Sequence, residues 1–147
     1  MNPGESNLAC QFIHEVFDEF VSPYYSQEGV NQFHQYADPK LMAARLRSGH
    51  VAWVAETDGR IVGLIELRNL IHVSLLFVDG TMQRKGIGRQ LFQQAQEWCR
   101  RNGREAGEIT VHSSPNSVTA YERLGFHAEG PEQNTHGIRF VPMKFRS

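Results

Sequence analysis

Apolar positions in the first third of the chain recur at helical spacing, and those in the remainder gather into short runs. Phe12, Ile13, Val16, Phe17, Phe20 and Val21 predict a first helix from about Asn7 to Val21. Pro23, with no N–H and a fixed φ, stops it. Tyr24, Tyr25, Val30, Phe33 and Tyr36 follow a looser pattern and predict a second, less regular helical or loop segment. Asp38 and Pro39 then suit an N-cap and a first helical position, so a short helix runs through Arg47 and Gly49 closes it.

From His50 the pattern turns to strands. His50–Ala55 and Ile61–Arg68 read as a pair joined by the hairpin turn Thr57-Asp58-Gly59-Arg60. Ile71–Val78 continues the sheet, and the unbroken Leu75-Leu76-Phe77-Val78 predicts a central strand covered on both faces. If that strand is regular, His72, Ser74 and Leu76 point to one side and Val73, Leu75 and Phe77 to the other. Ile87, Leu91, Phe92, Ala95, Trp98 and Cys99 mark one face of a long helix ending near Asn102-Gly103. Glu108–Ser113 is the next strand. Ser114 then suits the cap of a short helix, with Pro115 at its first position and Gly125 at its left-handed exit. Phe126–Glu129 and Gly137–Phe145 form a last pair of strands across the polar loop Gly130–His136.

A helix between two strands calls for a parallel crossover, whereas the hairpins call for antiparallel pairing. The expected fold is therefore α/β (α+β): a mixed, mostly antiparallel, twisted sheet with helices on both faces. With no repeat, linker or low-complexity stretch, residues 1–147 read as a single domain.

Composition narrows the function. At 147 residues, 40% hydrophobic and 21% charged, the chain is large enough to bury a core. A net charge of −1 provides no basic footprint for nucleic acid or an acidic membrane surface. No apolar run is long enough to span a bilayer, and Met1-Asn2-Pro3-Gly4-Glu5 lacks a signal-peptide pattern, so the expected location is cytoplasmic. Cys10 and Cys99 are too few for a disulfide framework and read as reduced, buried thiols. His14, His34, His50 and His127 show no metal-ligand spacing and read as surface or packing residues, so no metal is expected.

The strongest chemical signal is Gln83-Arg84-Lys85-Gly86-Ile87-Gly88, placed between the Val73–Val78 run and the helix pattern that starts at Arg89. A glycine-rich turn that opens a helix aims unpaired N–H groups and the positive end of the helix dipole at one point. Gly86 and Gly88 admit a phosphate close to the main chain, and Arg84, Lys85 and Arg89 add positive charge. The competing reading is a turn that serves only helix-to-sheet packing. A mononucleotide P-loop needs Lys and then Ser or Thr after its last glycine, but Arg89 and Gln90 stand there. A dinucleotide fold needs a third glycine, where Leu91 stands.

Read with Leu75-Leu76-Phe77-Val78 before it and Ala120-Tyr121-Glu122-Arg123-Leu124-Gly125-Phe126 after it, this segment resembles the general-control-type (GNAT) N-acetyltransferase superfamily over about the second half of the chain. The resemblance implies acetyl-CoA as co-substrate, a splayed central strand pair, and direct transfer of the acetyl group to an amine. It implies that the backbone of Phe77 and Val78 holds the pantetheine and offers an N–H to the acyl oxygen. Amides from Arg84, Lys85, Gly86, Ile87, Gly88 and Arg89 would hold the pyrophosphate, with Gln83 as a further cofactor-binding candidate of the motif. Tyr121 matches the family tyrosine near the sulfur, with packing on the inner helix face as its other reading. The family pattern has Asn and Ala seven and four positions before that tyrosine, whereas Ser114 and Ser117 stand here and Asn116 is displaced. Ser114 and Asn116 are the cofactor candidates in this stretch, Ser114 also reading as a simple cap.

For removal of the amine proton, His72 corresponds by its count back from Gln83 to a catalytic position in several family members. Glu66 on the neighbouring strand and water are its rivals, and a buried structural histidine is the plain alternative. His112 could face the acyl site, and His136 and Arg139 the substrate mouth. The expected partner is a small-molecule or peptide amine, in a pocket built by the first two helical segments and the last hairpin. A homodimer, the acyl-chain preference and the identity of the amine stay open. Two other functions also stay open: a non-catalytic acyl-CoA-binding sensor and a protein-interaction module.

Overall fold

The computed structural model describes residues 1–69, 71–105 and 108–146. Among them are five helices and seven strands. Three helices come first: α1 (Ser6–Phe20), α2 (Gln27–Tyr36) and α3 (Pro39–Arg47). Strands β1 (Val51–Thr57), β2 (Arg60–Arg68) and β3 (His72–Val78) follow, then α4 (Ile87–Arg101) and β4 (Thr110–Ser113). The chain ends with α5 (Val118–Leu124), β5 (Phe126–Ala128), β6 (Gln133–Thr135) and β7 (Ile138–Phe145).

Local chemistry sets several boundaries as expected. The Asp38 carboxylate accepts from the amides of Lys40 and Leu41, capping α3, and Gly49 leaves that helix at φ +103°. Asp58 and Gly59 both have positive φ, as a two-residue hairpin turn between β1 and β2 requires. The second segment is more regular than its apolar pattern suggests, because the Ser26 hydroxyl caps α2 through the Gly29 amide. A Cβ on Gly29 would collide with the carbonyl of Gly137, so this glycine lets α2 sit directly on the β6–β7 turn. Ser114 precedes a 3-10 turn but caps it with no side-chain bond; its hydroxyl donates instead to Ser117, at 2.9 Å. The polar loop Gly130–His136 contains β6, a short strand paired with β7.

The sheet order is β1-β2-β3-β4-β7-β5, with β6 on β7. Only β3 and β4, joined by the α4 crossover, run parallel among these pairs. One core lies against α4 and α5 and includes Ile65, Leu67, Val73, Leu91, Phe92 and Phe126. The other lies against α1–α3 and includes Phe12, Ile13, Val16, Met42, Leu64 and Leu75. No helix among the described residues is long and apolar enough to cross a membrane.

The strand covered on both faces is β2, buried from Val62 to Leu67, and not β3, where only Val73 and Leu75 are buried. Leu76, Phe77 and Val78 are half-buried because β4 pairs with β3 only at His72 and Val73. The alternation expected along β3 is broken too. Leu67 pairs with Val73 and Glu66 with Leu75, so Ser74 is an extra residue, a β-bulge. Val73 and Leu76 therefore face α4, and Leu75 and Phe77 face α1.

Candidate active site

Beyond Val111 the parallel strands part, and a cavity of about 580 Å³ fills the gap and extends to both faces of the sheet. Its wall on the β3 side is bare backbone. Asp79 donates its amide to the Val62 carbonyl at 2.8 Å, and Phe77 pairs with Leu64. Antiparallel ladder bonds alternate, so Phe77 exchanges its amide groups with Leu64 while those of Leu76 and Val78 turn toward the gap. The main-chain groups that turn to the gap thus belong to the neighbours of Phe77 and not to Phe77 itself. The Gln83 side-chain amide already donates to the Val78 carbonyl, at 3.2 Å.

At one end the cavity meets the start of α4. Arg84 and Gly86 both have left-handed backbone, at φ +64° and +84°. The first helical bond runs from the Gln90 amide to the Gly86 carbonyl, so the amides of Ile87, Gly88 and Arg89 precede the intrahelical ladder. Concave turns of this kind bind anions, and among the described residues no acidic one lines the cavity. A Cβ at Gly86 would meet nothing within 4 Å, so the constraint on this residue is its φ and not crowding. At Gly88 a Cβ would lie 3.7 Å from Val78 Cγ2, an ordinary contact. Gln83, Arg84, Gly86, Ile87, Gly88 and Arg89 all line the cavity, but Lys85 does not. Arg89 also donates to the Arg123 carbonyl at 2.9 Å, tying the start of α4 to the end of α5.

Across the gap stand Ser114, Asn116 and Tyr121. Asn116 donates its side-chain amide to the Phe20 carbonyl at 2.8 Å and so bridges the α5 side to the end of α1. Tyr121 is 8% exposed, packs edge-on to Phe126, and its phenol is pushed well above the usual range by burial and then by nearby Tyr25. It therefore keeps its proton at any working pH.

The two proposed bases lie outside the cavity lining. Glu66 is fully buried, and both its oxygens are engaged. Arg45 donates Nε to Oε2 at 2.8 Å and a terminal nitrogen to Oε1 at 3.1 Å. His50 Nδ1 lies 2.8 Å from Oε2 and the Tyr36 hydroxyl 3.4 Å from it. His50, expected as a surface or packing residue, thus sits half-buried against a fully buried carboxylate. His72 has Nδ1 2.8 Å from Thr110 Oγ1, and burial, then Arg68 and His112, lower its pKa to about 4. Its ring meets His112 edge-on at 4.8 Å, and His112 is the imidazole that lines the cavity. Burial and Arg68 also lower the pKa of His112, whose ring stacks on Phe140 at 4.4 Å.

The acceptor side differs from expectation in one respect. Residues of α1 and α2 line it, but no residue of the last hairpin does. His136 lies 3.8 Å from Glu28, both exposed, and the half-buried Arg139 is held by exposed Glu132. Val16, Phe17, Phe20, Tyr25 and Phe33 form this end, a role their sequence pattern does not separate from core packing. Cys10 and Cys99 are buried away from the cavity, and burial pushes the Cys10 thiol up to about 11.

Comparison with known proteins agrees with this architecture. The family model described as an acetyltransferase (GNAT) domain matches residues 21–147. An uncharacterised N-acetyltransferase of Methanocaldococcus jannaschii is 31% identical over 85 residues, which span 50% of this chain and 38% of that relative. A GCN5-related N-acetyltransferase structure from Rhodopseudomonas palustris superposes with a TM-score of 0.82 at 21% identity, covering 99% of this chain and 91% of that one. The PaiA N-acetyltransferase of Thermoplasma acidophilum, solved with coenzyme A, gives a TM-score of 0.76 at 15% identity, covering 99% and 96%. The match over residues 21–147, on a sheet that parts beside a glycine loop, makes the chain a member of the GNAT acetyltransferase family.

Proposed function

We propose that the protein transfers the acetyl group of acetyl-CoA to an amine, by direct attack inside the cavity between β3 and β4. The carrying observation is that one cavity joins the anion-binding turn of α4, the unpaired edge of β3 and Tyr121. These groups suit the co-substrate: amides at the start of α4 for the pyrophosphate, the exposed edge of Leu76 and Val78 for the amide-bearing arm. Bound acetyl-CoA supplies the activated thioester.

The protein holds the reactants in line and handles charge and protons. The main-chain N–H of Leu76 or Val78 stabilises negative charge developing on the acyl oxygen. Tyr121 donates a hydrogen bond to the departing sulfur. Since its phenol is a weaker acid than an ordinary thiol, this bond stabilises the thiolate, and complete proton transfer is uphill. His112 or water takes the proton of the attacking amine, and His72 orients the His112 ring from behind. Glu66 has no free oxygen for that task.

Isothermal titration with coenzyme A, paired with thiol release from acetyl-CoA over a panel of amines, tests this reading. Binding with amine-dependent thiol release is expected. Binding without release from any amine would make the protein an acyl-CoA sensor, and no binding would make the glycine turn a packing device.

A further inference from the structure

The acceptor end of the cavity has a composition that selects among amines. Phe17 and Phe33 stack at 3.9 Å and 10°, Tyr25 meets Phe17 edge-on at 5.3 Å, and Phe33 meets Phe77 at 5.9 Å. Phe17 is buried, whereas Phe20, Tyr25, Phe33 and Phe77 are half-buried and present their rings to the cavity. Polar tips here are few: Ser74, Tyr25, His112 and Asn116.

Charge is more decisive. The cavity lining carries Arg84, Arg89 and Arg123, and no Asp or Glu. The acidic residues nearest in sequence on α1, Asp18 and Glu19, are exposed, and Asp18 is paired with His34 at 2.9 Å. A polyamine or aminoglycoside brings several ammonium groups, each costing several kcal/mol to desolvate unless a carboxylate meets it. This cavity has none to offer. An amine on an aromatic body, by contrast, needs one nitrogen deprotonated and gains from burying its ring among others.

We propose that the acceptor is a monoamine on an aromatic body, either a free arylalkylamine or the N-terminus of a peptide that begins with an aromatic residue. The wall of Phe20, Tyr25, Phe33 and Phe77 selects it. This rests on the acetyl-transfer reading, and the attack is balanced: the neutral amine nitrogen bonds to the acyl carbon, the carbon–sulfur bond breaks, the thiolate leaves, and the amine proton passes to His112 or water.

The test titrates 2-phenylethylamine, a phenylalanine-initiated dipeptide amide, spermidine and kanamycin into the protein, free and saturated with coenzyme A, and measures thiol release with acetyl-CoA. One or both aromatic amines should bind, with a kcat/KM about 100-fold or more above spermidine and kanamycin, as desolvating even one unpaired ammonium implies. The ratio between the two aromatic amines identifies the source. Phe33→Leu and Tyr25→Leu should each raise the aromatic amine's KM about 10-fold with coenzyme A affinity unchanged; Tyr25, half-exposed, is the safer of the two for folding. Spermidine or kanamycin as the best acceptor would overturn the inference and leave acetyl transfer intact. Selective aromatic binding with no thiol release would keep the acceptor pocket and overturn acetyl transfer. Equal binding of all four amines, or of none, would overturn the inference.

Discussion

Two polar interruptions sit side by side in the interior of this sheet, and they have opposite ends. On β2, Glu66 is fully buried, and Arg45, His50 and Tyr36 fill the space around its oxygens. On β3, the backbone beyond the Ser74 bulge has β2 on one side and a cavity on the other. The first is a closed set of partners, the second an open one. A fully buried carboxylate with both oxygens hydrogen-bonded, and outside the cavity lining, is not within reach of a substrate there, however suggestive its residue type. An unpaired strand edge retains capacity for a ligand. The contrast leaves Glu66 among protein partners and the Leu76–Val78 edge open to a ligand.

The largest expected effect breaks the closed side. Glu66→Gln removes the fully buried charge that the half-buried Arg45 is paired with, which costs about 3 kcal/mol. The melting temperature should fall by about 10 °C, while coenzyme A affinity in the folded fraction stays unchanged. A thermal scan showing wild-type stability would return Glu66 to the list of working residues.

The next breaks the open side. Gly86→Val forces a β-branched residue to φ +84°, so the turn must reorganise at a cost of about 2–3 kcal/mol. Coenzyme A affinity should drop about 100-fold, with the fold intact because the position has no close neighbours. Unchanged affinity in titration would mean that the turn serves packing alone.

Tyr121→Phe sharpens the open side without disturbing it. The ring keeps its contact with Phe126, and only the hydroxyl goes, so kcat should fall about 10- to 100-fold with coenzyme A affinity kept. Single-turnover rates equal to wild type would place Tyr121 in the core alone.

The last test lies at the paired start of β3 and is read only as a pH dependence of stability. His72 binds its proton at about 4 in the fold and near 6.5 when unfolded. The unfolded chain therefore holds more protons between those values, and stability falls as pH drops from about 6.5 to about 4. Urea midpoints should drop over that range, and His72→Gln should shrink the drop. A variant with the same pH dependence as wild type would show that His72 is protonated as readily in the fold as outside it.

Much of the fold was legible because it is local. Asp38, Asp58-Gly59, Gly125 and the α4 stripe each act through neighbours within a few residues, so their helices and turns could be placed directly. The bulge was not legible. One extra residue at Ser74 reverses which side chains share a face, and only the register with β2 reveals it. The same holds for Glu66, whose partners lie 16 to 30 positions away.

What the sequence determined by itself was the glycine turn that opens α4, since two glycines, a basic flank and a following helix act within one short stretch. It also determined the order of the elements other than β6, and through it the parallel crossover. The tertiary structure alone decided where β3 and β4 part, that Leu76 and Val78 and not Phe77 turn their amides to the gap, and that aromatics of α1 and α2 become a wall of that gap. The reason is physical: a strand's ladder and a cavity's lining are relations between distant segments, and an apolar residue carries the same local signal whether it ends in a core or at the edge of a site.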